Sequence, residues 1–161
     1  MCEFLKNPFF REAPLWANQE NAFMNDDILK FHRLLEGYEP TPVHSLNGLA
    51  KKLGIGSVYV KDESFRFGVK AFKPLGASYT IYRFLKSKWE DSFPSEFTVS
   101  DFKNPEKMHQ LGAFTFCAAT DGNHGRAVAW TARILKQNAV IYMPANTVAS
   151  RIKNIESEGA R

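Results

Sequence analysis

Apolar residues follow two different spacings along this 161-residue chain. After the first 25 residues they recur every three or four positions, which predicts two short helices ended by Gly37 and Gly54. Asn25 or Asp26 can cap the first of these helices. Residues 1–24 show no clear period, and we expect them to form an extended arm that packs against another part of the protein.

From residue 57 onward, short apolar runs alternate with helical spacing. Strands are predicted at residues 57–61, 114–119 and 139–143. The second of these runs is nearly all apolar, as expected for a strand that is buried on both faces. Residues 91–110 are polar and are predicted to form a surface excursion, and Thr147 is predicted to cap the last helix.

Strands that alternate with helices imply right-handed crossovers and therefore a parallel sheet. We expect an α/β fold in which helices flank this parallel sheet. Ligands of such sheets bind beyond the carboxyl ends of the strands. The loops that follow the first and second predicted strands reach that edge, so we look there for chemistry.

The composition is that of a globular protein, with 44% hydrophobic and 24% charged residues. The formal charge is +4, but the lysines and arginines are dispersed, so we expect a solvated surface and no nucleic-acid partner. The histidines show no metal-ligand spacing, so no metal site is expected. Cys2 and Cys117 make no disulfide framework, and Cys117 is expected to be a small buried hydrophobe.

The sequence carries no recognisable export or membrane signal. The first residues lack the basic segment and apolar stretch of a signal peptide. No apolar run approaches the roughly 20 residues that a membrane-spanning helix needs. We therefore expect a cytoplasmic protein with no membrane partner.

Lys73 stands directly before Pro74, where an amphipathic helix is predicted to begin. Proline is favoured at the first helical position and disfavours the α conformation of the residue before it, which predicts Lys73 at the N-cap. An ammonium near the positive end of a helix dipole is disfavoured, whereas an amine that captures a carbonyl must be neutral. Lys73 is therefore a candidate Schiff-base lysine for pyridoxal phosphate (PLP). The alternative is a surface lysine that happens to precede a helix.

A second candidate is the loop at residues 121–125, DGNHG. Its glycines permit close backbone approach, Asn123 offers both a donor and an acceptor, and the N-terminus of the following helix favours an anionic oxygen. The alternative is an ordinary turn in which the Asn and Asp side chains act as caps. Neither motif is decisive alone, but the two together favour a cofactor site.

Residues 71–79, AFKPLGASY, and residues 119–130, ATDGNHGRAVAW, together resemble the fold-type II PLP-dependent enzymes. Within these enzymes the pair is most similar to the diaminopropionate ammonia-lyases, and the resemblance runs from about residue 5 to Arg161. It implies PLP as the cofactor. It also implies a homodimer that converts D- or L-2,3-diaminopropionate to pyruvate and ammonia by α,β-elimination. Ala77 stands where these enzymes commonly have a glycine.

The resemblance implies roles for three residues. Lys73 would form the Schiff base with PLP, and Asn123 would hydrogen-bond the phenolic oxygen of the cofactor. Two bases on opposite faces of the planar adduct would explain the use of both enantiomers: Lys73 for the L-isomer and Asp121 for the D-isomer. Threonine dehydratases and cysteine synthases usually have a small residue at the position of Asp121.

The glycine-rich loop that binds the cofactor phosphate lies beyond the position of Arg161 in this family. We therefore expect an N-terminal portion of a longer enzyme, with an incomplete fold-type II architecture that ends before the phosphate loop. Residues 1–56 are expected to form an N-terminal arm and helices, and residues 57–161 a partial PLP-binding region. Two alternatives stay open: a serine or threonine dehydratase-like PLP enzyme, and a non-catalytic remnant.

Overall fold

The computed structural model describes residues 26–161. The predicted extended arm, a cap at Asn25 and Cys2 lie outside these residues. The helices are α1 (Asp26–Leu34), α2 (Asn47–Leu53), α3 (Lys73–Glu90), α4 (Pro105–Leu111), α5 (Asn123–Ile134) and α6 (Ala149–Glu156). The strands are β1 (Val43–Ser45), β2 (Tyr59–Lys61), β3 (Thr115–Ala119) and β4 (Asn138–Tyr142). Short 3₁₀ segments occupy Glu63–Gly68 and Val99–Lys103.

The strands form two separate pairs. β3 and β4 are parallel, with Cys117 opposite Val140, and α5 is the crossover between them. β1 and β2 are antiparallel, with His44 opposite Val60. The predicted α/β fold with parallel strands and flanking helices is confirmed, but residues 57–61 do not join the parallel sheet. They pair with β1, the strand that precedes them in the sequence, and consecutive strands are usually neighbours in space.

The main core lies between α3, α5 and β4. One face of α3 carries Ile81, Leu85 and Trp89, which pack against small side chains of α5 such as Ala129 and Ala132. A smaller cluster joins α1 to α5. Its buried members are Phe31, Leu35, Val69 and Trp130.

Residues 91–110 are mostly exposed, as their polarity predicts, but two aromatic side chains anchor the segment in the core. Phe97 is fully buried in the main core, and Phe102 is buried beside it. The indole Nε1–H of Trp89 donates to the carbonyl of Ser95 at 2.8 Å, which holds the segment against α3. The aromatic side chains anchor this segment while its polar residues face solvent, a pattern without a regular period.

The predicted burial of both faces of the second strand is also wrong. Along β3 the odd positions Thr115, Cys117 and Ala119 are exposed, while Phe116 and Ala118 are partly buried. The main core covers one face of the β3–β4 pair, while the face that carries Thr115, Cys117 and Ala119 is left exposed by the described residues. The far edge of β4 pairs with the backbone of Arg161, whose N–H donates to Ala139 at 3.1 Å.

Gly125 allows α5 to lie close to β4 and α6. A Cβ at this position would lie 2.8 Å from Ile141 Cγ2, 2.9 Å from Thr120 Cγ2 and 3.3 Å from Ile155 Cδ1.

The predicted cap of α6 by Thr147 is wrong, since Val148 is the N-cap. The Oγ1 atom of Thr147 is buried and has no hydrogen-bond partner within residues 26–161.

The segment between β2 and α3 is held by a buried arginine. The Arg66 side chain is 5% exposed, and its Nε donates to Glu63 Oε2 at 2.8 Å. Its two terminal nitrogens donate to the carbonyl of Glu39 at 2.8 Å and to Thr41 Oγ1 at 3.2 Å. The hydrogen bond from Arg66 holds the pKa of Glu63 below its ordinary value of 4.5. The segment that leads to Lys73 is therefore tied to residues 39–41.

No helix within residues 26–161 is both long enough and apolar enough to cross a membrane.

Replacing Gly125 with Ala should lower the free energy of unfolding by about 1–3 kcal/mol, because the added methyl overpacks a tight contact. Gly48→Ala in α2 is the matched control, since within the described residues no atom lies within 4 Å of a Cβ there. We expect that control to change stability by about 0–1 kcal/mol in the stabilising direction. Urea unfolding measures both. Equal stability of the two variants would contradict the close approach at Gly125.

Because the folded state lowers the pKa of Glu63, its contribution to stability is present above pH 4.5 and is lost as pH falls through the folded-state pKa. Glu63→Gln should cost about 2 kcal/mol near pH 7, because it removes a charge-assisted hydrogen bond of a buried arginine. It should also flatten the loss of unfolding free energy between about pH 5 and pH 3. The control is Glu156→Gln, at an exposed carboxylate. If both variants keep the wild-type pH dependence of urea unfolding, Glu63 has no such role.

Candidate active site

α3, α5 and β3 line an open cavity of about 500 Å³. This volume lies in the range of small-molecule and cofactor sites. Its walls are mainly apolar, and the polar side chains among them include an amine, an imidazole, a thiol and a hydroxyl. The lining residues are Phe72, Lys73, Leu75, Gly76, Ala77, Thr80, Ile81, Phe116, Cys117, His124 and Val128.

Lys73 is the first residue of α3, and Phe72 is the N-cap, so the predicted N-cap position of Lys73 is wrong by one residue. The side chain of Lys73 is exposed to the cavity. Its Nζ lies 5.1 Å from the centroid of the Phe72 ring, within cation–π distance. The amine therefore stands at the positive end of the helix, as the sequence predicts, and is accessible to a ligand.

The backbone beneath this lysine is firmly held. Pro74 is fully buried, and the Nε2–H of His32 in α1 donates to the carbonyl of Leu75 at 2.8 Å. Burial lowers the pKa of His32 below its ordinary value of 6.5. A fixed backbone that carries a free side chain suits a lysine that must reach a ligand in one orientation. The sequence carries no local signal for the role of His32.

The second motif forms the end of β3 and the start of α5. Gly122 is the N-cap of α5 and has no side chain to cap it, so the first N–H groups of the helix remain available to an anion. Asn123 is the first helical residue and is exposed, and His124 lines the cavity. The motif therefore brings the N-terminus of α5 to the same cavity as the N-terminus of α3.

Asp121 lies in the same loop but is held by an ion pair. Its Oδ2 accepts a hydrogen bond from Arg151 Nη1 of α6 at 2.6 Å, and the two side chains are 46% and 56% exposed. Asp121 and Asn123 are not among the side chains that line the cavity, although both are sequence neighbours of His124. Of the predicted site residues, Lys73 lines the cavity, whereas Asp121 and Asn123 do not.

The predicted burial of Cys117 is wrong. It is exposed rather than buried, and it lines the cavity. Successive side chains of a strand point to opposite faces, so Cys117 lies on the face opposite to Phe116 and Ala118. Sequence reasoning missed this alternation along β3. Within residues 26–161 no group of three or more His, Cys, Asp or Glu side chains is arranged to hold a metal ion.

The chain is similar to known PLP enzymes. The model of the family described as pyridoxal-phosphate dependent enzyme matches residues 34–161. The diaminopropionate ammonia-lyase of Escherichia coli (strain K12) is 44% identical over 158 residues, which cover 96% of this chain and 37% of that protein. The enzyme of the same name from Salmonella typhimurium is 41% identical over 140 residues, which cover 87% of this chain and 34% of that protein.

A solved structure agrees with these sequence relatives. The Escherichia coli diaminopropionate ammonia-lyase in complex with D-serine superposes with a TM-score of 0.73 at 42% identity, covering 83% of this chain and 33% of that one. The chain thus spans about a third of the length of the relatives that it matches. With a family model that matches from residue 34 to residue 161, the chain belongs to the family of pyridoxal-phosphate dependent enzymes.

Proposed function

We propose that this chain carries the lysine-bearing part of a diaminopropionate ammonia-lyase active site. The observation that carries the proposal is that Lys73 and His124, one from each sequence motif, line the same cavity. Relatives that are 41% and 44% identical over 87% and 96% of this chain are diaminopropionate ammonia-lyases. The reaction consumes 2,3-diaminopropionate and one water and releases pyruvate and two ammonia molecules.

The cavity residues fit the ring end of PLP. A primary amine stands at its wall, and Ile81, Phe116 and Val128 offer apolar surface to an aromatic ring. The starts of α3 and α5 lack side-chain caps, so two positive helix ends favour an anionic oxygen there. When bound, PLP supplies an electron sink that stabilises negative charge at the substrate α-carbon. We propose that Lys73 holds the cofactor and that Asn123 hydrogen-bonds its phenolic oxygen.

Two residues are proposed to move protons. Lys73 would take the α-proton of the L-isomer, and Asp121 would take that of the D-isomer from the opposite face. Each base must come within hydrogen-bond distance of the proton that it removes. Binding of D-serine by the Escherichia coli relative supports a site open to D-amino acids. The carboxylate of Asp121 also favours a substrate with a second, cationic amino group. Arg151 orients this carboxylate by holding one of its two oxygens.

Other features of the proposal rest on the resemblance or on composition alone. They are a homodimer, a cytoplasmic location, no nucleic-acid partner, and a division of the chain into residues 1–56 and residues 57–161. The phosphate loop of the family lies beyond the position of Arg161, and the backbone amides of such loops supply much of the affinity for a phosphate. We therefore propose weaker cofactor binding by residues 1–161 than by a full-length relative.

Lys73→Ala should abolish the absorbance band that appears when PLP is added to the wild-type chain, because the mutant has no amine at the cavity wall. The matched control is Lys88→Ala, at an exposed lysine on the same helix, which should keep the band. Borohydride reduction followed by peptide mass spectrometry locates the modified lysine. A band that persists in Lys73→Ala would exclude Lys73 as the attachment point, and no band in the wild type would contradict cofactor binding by this chain.

In a full-length enzyme that contains these residues, Asp121→Asn should lower turnover of D-2,3-diaminopropionate by at least about 10²-fold, the usual size of a general-base contribution, and leave the L-isomer largely unaffected. Pyruvate release from each enantiomer measures the effect. Arg151→Gln breaks the same ion pair but keeps the carboxylate, so it should lower turnover of the D-isomer less than Asp121→Asn does. An equal loss with both enantiomers would contradict the two-base assignment. If Arg151→Gln reproduced the full effect, the ion pair and not the base would be responsible.

A further inference from the structure

The two sequence motifs lie on different elements, and one arginine connects them. Arg126 belongs to the first turn of α5, three residues after Asn123. Its Nη1 donates to the carbonyl of Val69 at 3.3 Å, and its Nη2 lies 3.5 Å from the carbonyl of Gly68. Gly68 and Val69 lie five and four residues before Lys73. The guanidinium therefore bridges the start of α5 and the loop that delivers the lysine.

This guanidinium is itself anchored on a buried acid. The Glu158 side chain is 7% exposed, and its Oε1 accepts from Arg126 Nε at 3.1 Å. The other oxygen, Oε2, accepts a hydrogen bond at 2.8 Å from Nη2 of Arg133, which lies later in α5. A carboxylate that is buried and doubly paired is costly to move. Glu158 consequently fixes the guanidinium plane of Arg126. Arg133 shares the same acid, but within residues 26–161 its side chain makes no hydrogen bond or ion pair with the loop before Lys73.

The loop needs such an external support. Gly68 and Lys70 both adopt left-handed backbone, with φ values of 70° and 62°, and for Lys70 this conformation is unfavourable. Between them, Val69 is 2% exposed and packs in the cluster that contains Trp130 of α5. Apolar contact therefore holds the side chain of Val69, and Arg126 holds the backbone carbonyls of Gly68 and Val69.

We propose that Arg126 is a positioning residue that fixes where Lys73 stands relative to the N-terminus of α5. The inference rests on the proposed function, in which Lys73 attaches the cofactor and the start of α5 receives it. A lysine ammonium is a point charge and cannot reproduce the fork that contacts Glu158 and two carbonyls together. Arg126 therefore does more than pair with a buried acid, since the pairing sets the geometry of the loop.

The test compares Arg126→Gln with Arg133→Gln, which removes the other partner of the same carboxylate. Added PLP is trapped at Lys73 with borohydride, and the rate of modification is measured by peptide mass spectrometry. Hydrogen exchange of the amides of residues 68–73 is measured without cofactor, and urea unfolding reports stability. We expect Arg126→Gln to slow the modification at least tenfold, since small misplacements of reacting groups cost this much or more. Exchange of the loop amides should rise in the same variant. Arg133→Gln should leave both quantities within twofold of the wild type.

Arg126→Lys keeps the charge and is expected to recover stability but not the rate of modification at Lys73. If Arg126→Gln and Arg133→Gln change rate and loop exchange equally, Arg126 acts only through stability and the inference is wrong. It is also wrong if Arg126→Gln leaves loop exchange unchanged. If the wild type is not modified at Lys73 while loop exchange rises only in Arg126→Gln, the positional role of Arg126 stands and the proposed cofactor attachment fails.

Discussion

The candidate site depends on the packing of α3 against α5, the most extensive contact between two elements of residues 26–161. Ala129 and Ala132 are small enough to let Ile81 and Leu85 of α3 fill the space between the helices. Both helices begin beside one cavity, so the same packing that buries the core brings two positive helix ends together. A site for an anionic, carbonyl-bearing cofactor follows from how the core closes.

Buried ion pairs hold the loops that this packing leaves irregular. Arg66 with Glu63, and Arg126 with Glu158, each bury charge that would be costly if unpaired. Such pairs add little net stability compared with apolar residues, but the loss of one partner is severe. Both arginines contact backbone carbonyls of segments with no regular hydrogen-bond ladder. Their role in this chain is to specify where the loop before Lys73 runs, so that the core and the site share one geometry.

Much of the site was predictable because its signals are local. Proline at the start of a helix and glycine at its end act through the conformation of one or two residues, so the start of α3 was placed within one residue and the end of α2 at Gly54. Pairing the lysine segment with residues 121–125 indicated the family, and the family model then confirmed it. The prediction that both loops follow strands of one parallel sheet was wrong, however, because β2 does not join that sheet.

By itself the sequence determined the helical periods, the lysine before a proline, the glycine-bearing loop and hence the family. Tertiary structure alone decided the partner of β2, the exposure of Cys117, the burial of Phe97 and the ion pairs of Asp121 and Arg126. The physical reason is the range of the interactions. Periodicity and turn chemistry act within a few residues, whereas strand pairing, burial and charge pairing depend on residues that become neighbours only after the chain has folded.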